Sequence, residues 1–332
     1  MSDLVTVILT TLNSEKYLRK SIDSCLNQTH HHIELLVVDG GSTDATIEIV
    51  ESYIKADPRI RLIYQENNAG KLPGAINLGM ANARGEYITW TQDDCWYEPD
   101  ALELMLAFLR DHSRVALVYT DYWLVDNLYG QQAIKYTRVS DVDRMLDEDV
   151  IQQCFLFRRE VYEAVGPQDI QYFPIHEVPW RLKITQGFRI EPLHIPLQYY
   201  HWHVDSLTGR IGGYELQRMM YRAFLIEGHI DEGELRRRLA DIDIHDAYAA
   251  FVFRGDYRAF RSLFKAAILG NPTHGRNRGL WKLFVTSFLP AREWRRQEML
   301  DAWQAQEAKR QVILVHEFRE RFPQRQVAHA ND

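Results

Sequence analysis

The strongest constraint on this chain is the regular alternation of its first 120 residues between short β-branched runs and segments of helical period. The runs LVTVILTTL (4–12), IELLVVD (33–39), IRLIYQ (60–65), EYITWTQ (86–92) and VALVYT (115–120) have the length and residue types of buried strands. Between them, residues 14–28, 44–56, 74–83 and 99–112 repeat apolar side chains at helical spacing. Asn13 or Ser14 is placed to cap the first helix, and Pro99 falls in the first turn of the fourth. Strands separated by helices predict βαβ units, hence a mostly parallel sheet with helices on both faces.

From about 122 to 210 the pattern is irregular, with short strands, turns and many aromatics. Beyond 214 it becomes amphipathic helices separated by Gly or Pro. The break at "RIGG" predicts an α/β domain over 1–212 and a helical region over 213–332. A net charge of −7 argues against nucleic acid as a partner. Cys25, Cys95 and Cys154 lack CxxC spacing and read as reduced thiols with no zinc site. The N-terminus shows no basic segment followed by an apolar core, and no apolar run approaches the roughly 18 residues of a membrane span. The expectation is a soluble cytoplasmic protein, at most peripheral to a membrane face.

In parallel α/β sheets, ligands bind beyond the carboxyl ends of the strands. Three predicted strands here end in polar tips: TTLN (10–13), VVDGGSTD (37–44) and TQDD (91–94). Asp39 falls at the second tip, where Gly40 and Gly41 permit a tight turn and Ser42, Thr43 and Asp44 can cap the next helix. Asp93 and Asp94 place two like charges side by side at the end of an apolar strand. Each must be solvated, paired or gathered around a cation. A solvated turn and a cation site both remain open on this evidence.

Taken together, the blocks VILTTLNSEKYLRKSIDSCLNQT, ELLVVDGGSTDATIEIVESY and NAGKLPGAINLGMANARGEYITWTQDDCWYEPDALE resemble the family 2 glycosyltransferases, which have the GT-A fold. The resemblance runs continuously from residue 4 to about 120 and more loosely to about 210. It implies a catalytic domain over 1–212, a nucleoside diphosphate sugar donor, UDP favoured, and a divalent cation, Mg2+ or Mn2+. By position, Thr11 and Asn13 would line the nucleotide pocket, Asp39 would contact base or ribose, and Lys71 would approach the nucleotide or diphosphate. Asp94 would ligate the metal, and Asp93 would meet ribose or sugar hydroxyls. Departures occur at Gly40, where many relatives carry Asp, and at Gln92, where the motif would begin with Asp.

Inverting members use a carboxylate base shortly before a helix similar to the one in FPIHEVPWRLKITQGF (173–188), which singles out Glu177. Glu177 would alternatively cap a helix beginning at Pro179, and Asp169 and Asp205 are the other candidates for the base. YYHWHVDSLT (199–208) is similar to the segment that closes over the diphosphate. His203 would contact phosphate or metal there, and His201 replaces the usual Arg. A structural histidine among Tyr199, Tyr200 and Trp202 suits the same residues.

The C-terminal helices carry no recognisable catalytic pattern. Residues 274–296 hold six Lys or Arg against one Glu, interleaved with Trp281, Phe284, Phe288 and Trp294. Such a helix lies on an anionic membrane surface or packs its apolar side on a neighbour. The leading expectation is an inverting transferase acting on a glycan or lipid-linked saccharide acceptor. A catalytically inactive scaffold and a sugar nucleotidyltransferase are the alternatives. The nucleotidyltransferase lacks support because TTLNSEKY is not a Gly-rich, Arg- and Lys-bearing loop. No GxGxxG follows the first strand, which sets aside a dinucleotide-dependent oxidoreductase.

Overall fold

The computed structural model describes residues 3–126, 133–146, 151 and 154–321. Strands β1 (Val5–Thr11), β2 (Ile33–Asp39), β3 (Ile60–Tyr64) and β4 (Tyr87–Gln92) alternate with helices α1 (Leu18–Leu26), α2 (Thr46–Ala56) and α3 (Lys71–Asn82). Then come β5 (Trp96–Tyr97), α4 (Ala101–Asp111), β6 (Val115–Asp126), β7 (Ala133–Thr137), β8 (Phe155–Arg158), α5 (Arg159–Val165), α6 (Glu177–Gly187) and β9 (Arg189–Trp202). Six helices follow: α7 (Leu207–Ile211), α8 (Gly213–Ile226), α9 (Glu232–Ala249), α10 (Tyr257–Gly270), α11 (Arg278–Thr286) and α12 (Arg292–Arg321).

The strands form one mixed sheet in the order β3-β2-β1-β4-β8-β6-β9-β5, with β7 paired to β6. Strands β1 to β4 are mutually parallel, and β8 runs antiparallel to both β4 and β6. Every residue of β1 and β2 is buried, as a strand covered on both faces requires. Register sets Ile8 beside Trp90, so both point to one face. That face meets α3, where a Cβ on Gly79 would lie 2.4 Å from Ile8 Cγ2. It also meets α6 through Trp180, whose ring centroid is 5.4 Å from that of Trp90. The opposite face carries Thr89, which is 3.3 Å from the Tyr97 hydroxyl. Tyr97 in turn donates its amide to Ser24 Oγ of α1, and Gln28 just beyond α1 accepts from the Leu102 amide in the first turn of α4.

Two readings of the sequence are corrected here. Residues 122–210 are largely regular: β6 continues to Asp126, and β9 runs for 14 residues. Pro192 and Pro196 make β9 look broken, because proline lacks a ladder donor. Pro196 falls where the register with β6 slips between Thr120 and Asp121, and Pro192 lies opposite Tyr119 in a part of β9 that β5, paired at Gln198 and Tyr199, does not reach. Neither Asn13 nor Ser14 caps α1, which follows a turn over residues 15–17 with no side-chain cap. Asn13 instead sits at φ 53° and directs its side-chain oxygen across to Thr43.

The chain clusters into two compact units, one ending at Arg210 and the other beginning at Ile211. In the helical unit, α9, α10 and α11 enclose Ile244, Phe251, Phe260, Phe264 and Leu283. Arg218 of α8 bridges to Asp243 and Asp246 of α9 at 2.8 and 2.9 Å.

Candidate active site

Because β1, β2 and β4 are adjacent and parallel, their polar tips emerge on one edge. Thr11 is paired with Asp39, and Thr10 with Gln92, so Asp39 and Asp93 flank the end of β1. Two strand spacings separate them, about 10 Å of backbone. Hydrogen bonds then join the tips. The Leu12 amide donates to Asp93 Oδ2 at 3.2 Å, the Asn13 amide to Ser42 Oγ at 2.9 Å, and the Thr43 amide to Asn13 Oδ1 at 2.8 Å. Thr11 is buried beneath this layer.

Asp39 is almost wholly buried and organises its own turn. Its carboxylate accepts from the amides of Gly41 and Ser42 and from the Ser42 hydroxyl, the last at 2.5 Å. Of the two glycines, only Gly41 has the positive φ, 96°, that demands glycine. Gly40 does not: a Cβ there would find Asn68, Leu12 and Gln65 at ordinary contact distance. Beyond β3, Gln65 ties the Lys71 loop to this edge, donating its amide to the Asp39 carbonyl and its side chain to the carbonyls of Ala69 and Lys71. Lys71, at φ 54°, places Nζ 4.6 Å over the Phe173 ring. Together with Asn68, Gly70, Ile170 and Gln171 they line a cleft of about 330 Å³.

The β4 tip is the most charged point of the edge. Burial, and then the neighbouring Asp94, push the Asp93 carboxyl up to about 7, against the opposing hydrogen bond of the Leu12 amide. Asp94 accepts from the Cys95 thiol at 3.2 Å, and its Oδ2 lies 3.1 Å from His203 Nε2. The other ring nitrogen of His203, Nδ1, is buried with no hydrogen-bond partner among the described residues. His201 packs 4.7 Å from His203, and burial followed by the His203 charge lowers its pKa to about 4. His201 is therefore neutral near pH 7 and cannot supply the permanent charge of an Arg.

Residues missed by the sequence reading complete this corner. Tyr17 lies 5.0 Å, ring to ring, from both His201 and His203. Lys20 holds Nζ 3.8 Å over the Trp96 ring, and Trp96 is 6.0 Å from His201. Tyr17 reads as a core position by helical spacing, and nothing in the sequence near α1 signals contact with residues 201–203.

Glu177 is the first residue of α6 rather than a cap before Pro179. Its carboxylate accepts from Trp90 Nε1 at 2.9 Å and pairs with Arg181 at 2.8 Å. Arg181 is fully buried. Asp169 caps the turn at Gln171, and Asp205 is exposed beyond β9. The structure thus brings Thr11, Asn13, Asp39 and Asp93 to one edge, joined by strand register and by bonds through Leu12, Ser42 and Thr43, and it joins His203 to Asp94. It holds Glu177 in a separate buried ion pair.

A mixed α/β sheet with acidic tips at adjacent parallel strands defines a nucleotide-sugar transferase fold of the GT-A type. Residues 6–166 match the family model "Glycosyl transferase family 2", which makes this segment a domain of that family. It is 36% identical over 140 residues to an uncharacterized glycosyltransferase of Haemophilus influenzae, covering 42% of this chain and 55% of that protein. It is 36% identical over 160 residues to a putative teichuronic acid biosynthesis glycosyltransferase, TuaG, of Bacillus subtilis, covering 44% and 63%. The chain thus spans less than two thirds of the length of these relatives. Among solved structures, TarS of S. aureus in complex with UDP-GlcNAc is similar with a TM-score of 0.55 at 17% identity, over 91% of each chain. A mannosyltransferase of Pyrobaculum calidifontis in complex with GDP-Man and Mn2+ is similar with a TM-score of 0.54 at 17% identity, over 93% of this chain and 86% of that one.

Proposed function

We propose that this chain transfers a sugar, with inversion, from a nucleoside diphosphate donor to a hydroxyl of a glycan or lipid-linked saccharide. The observation that carries the reading is the convergence of the Asp39 and Asp93–Asp94 tips on the end of β1, with His203 on Asp94. A UDP-sugar is the favoured donor, in keeping with the UDP-GlcNAc complex of the similar TarS structure. The nucleotide would lie across Thr11, Asn13 and the cleft at Lys71, with Asp39 shaping its floor and Asp93 facing the donor's hydroxyls.

No cluster of three or more His, Cys, Asp or Glu side chains among the described residues could hold a metal by itself. The donor set still fits Mg2+ or Mn2+, because such ions are commonly held by one or two carboxylates together with substrate phosphates. Asp94 would be the protein ligand, and the unpartnered imidazole edge of His203 would face the same group. When bound, the ion neutralises charge on the departing diphosphate. Lys20 over the Trp96 ring, and Lys16 just before α1 with Nζ 4.8 Å over the Tyr17 ring, would supply the positive charge that neutral His201 lacks.

Glu177 is the proposed base. Its carboxylate would take the acceptor proton as the hydroxyl oxygen bonds to the anomeric carbon and the bond to the diphosphate oxygen breaks. Each of its oxygens keeps a lone pair beyond those used by Trp90 and Arg181. A second reading, a binding protein without turnover, is favoured by one observation: the neutral His201 in place of a phosphate-clamping Arg.

Incubation with UDP-sugars and Mn2+ separates the two. The transferase reading expects slow UDP release that falls at least a hundredfold in Asp94→Ala while the fold is retained. Tight UDP binding without any release would support the binding protein.

A further inference from the structure

The helical unit carries a surface that its own packing leaves uncovered. Helix α11 buries Leu283 and turns Leu280 and Phe284 onto the core around Phe260 and Phe264. Beside these, Trp281 rests its ring 5.1 Å from that of Phe264 yet stays 43% exposed, and Val285 is 58% exposed. The turn beyond the helix adds Phe288 at 59%, its ring 5.4 Å from that of Phe284, and Leu289 at 47%. The apolar arc of α11 is thus wider than its neighbours cover, and an outer stripe is left in solvent.

Cations frame the outer stripe. Arg276, Arg278 and Lys282 are exposed. Arg278 precedes Trp281 by three residues and Lys282 precedes Val285 by three, the separation at which helical side chains are neighbours. Residues 274–296 carry six Lys or Arg against one Glu, in a chain whose net charge is −7. A second copy is a poor occupant, because a two-fold contact would set these cations against themselves. Aromatic and aliphatic side chains interleaved with long cationic ones suit a surface that is apolar below and anionic above. There, cationic stems lie along the hydrocarbon while their heads reach phosphate.

We propose that the α11 face, Trp281, Val285, Phe288 and Leu289 with Arg278 and Lys282, docks on an anionic lipid bilayer. The chain then sits on the membrane peripherally; no described helix is long and apolar enough to cross one. This surface stands apart from the transferase reading and does not depend on it.

Flotation of the full chain with phosphatidylcholine vesicles, with and without phosphatidylglycerol, tests it. The expected result is capture by the anionic vesicles alone, weakening as salt is raised. The pair Arg278→Gln and Lys282→Gln should weaken partition roughly 30-fold, given the contribution of each cation at such a surface. Val285→Ser with Leu289→Ser, both exposed and outside the core, should also release the protein. The proposal is overturned by absence of capture at low salt, or by equal capture on neutral vesicles. It is equally overturned if the Val285/Leu289 pair leaves capture unchanged, or if sedimentation shows a dimer that this pair dissociates.

Discussion

At the scale of single residues, the two carboxylates at the β4 tip have different surroundings. Asp94 has His203 and the Cys95 thiol as partners, whereas half-buried Asp93 has its carboxyl pushed up to about 7 by desolvation and by Asp94. An aspartate raised in the folded state ionises more readily in the unfolded chain. The folded protein therefore holds one more proton between about pH 4 and 7, and stability falls as pH rises through that window. Thermal melts in chelator should show this decline in the wild type and lose it in Asp93→Asn; an unchanged slope would mean Asp93 is ionised in the fold. Glu177 and Arg181 present the opposite case, opposite charges satisfied by each other. Removing one partner of a buried pair leaves the other uncompensated, so Glu177→Ala should cost about 3–5 kcal/mol in urea unfolding. Glu177→Gln keeps the acceptor for Trp90 Nε1. If Glu177 is the base, this variant should lose turnover far more than donor affinity, and loss of both together would reduce it to a structural role.

At the scale of elements, the site depends on α3 lying close against β1. Gly79 makes that approach feasible, since a side-chain carbon there would meet Ile8 at 2.4 Å, well inside contact distance. Gly79→Ala should cost about 1–3 kcal/mol through overpacking, read by chemical denaturation. A neutral result would show that α3 can shift outward without consequence. The legibility of the elements follows the same physics. Strands β1 to β4 were visible because parallel strands covered on both faces are uniformly apolar, and their helices because one stripe must be buried. The length of β9 was hidden by Pro192 and Pro196, residues a strand tolerates at an open edge or where a partner's register slips, as it does at Pro196. Local sequence contains no record of that slip.

At the scale of the whole molecule, a ligand that binds only the folded chain must raise its melting temperature. Across a panel of nucleotides, UDP with Mn2+ should give the largest increase, and Asp94→Ala should remove the part that depends on Mn2+. Preference for a guanosine nucleotide would redirect the donor assignment without touching the fold. In the helical unit the core lies among α9, α10 and α11, and the outer stripe of α11 is the apolar surface for which a lipid partner is proposed.

Sequence by itself determined the alternation of strands and helices, the family blocks through which residues 6–166 are recognised, and the placement of acidic residues at strand tips. Those are properties of spacing and residue type, which a linear pattern records. The tertiary structure alone decided that Asp39 turns its oxygens onto Gly41 and Ser42, and that Glu177 is paired to a buried Arg181. It also decided that Tyr17 and Lys20 stand beside His201 and that part of the apolar arc of α11 stays in solvent. Each outcome depends on which side chains meet across many intervening residues, and hydrogen-bond partners, burial and charge environment exist only once the chain has folded.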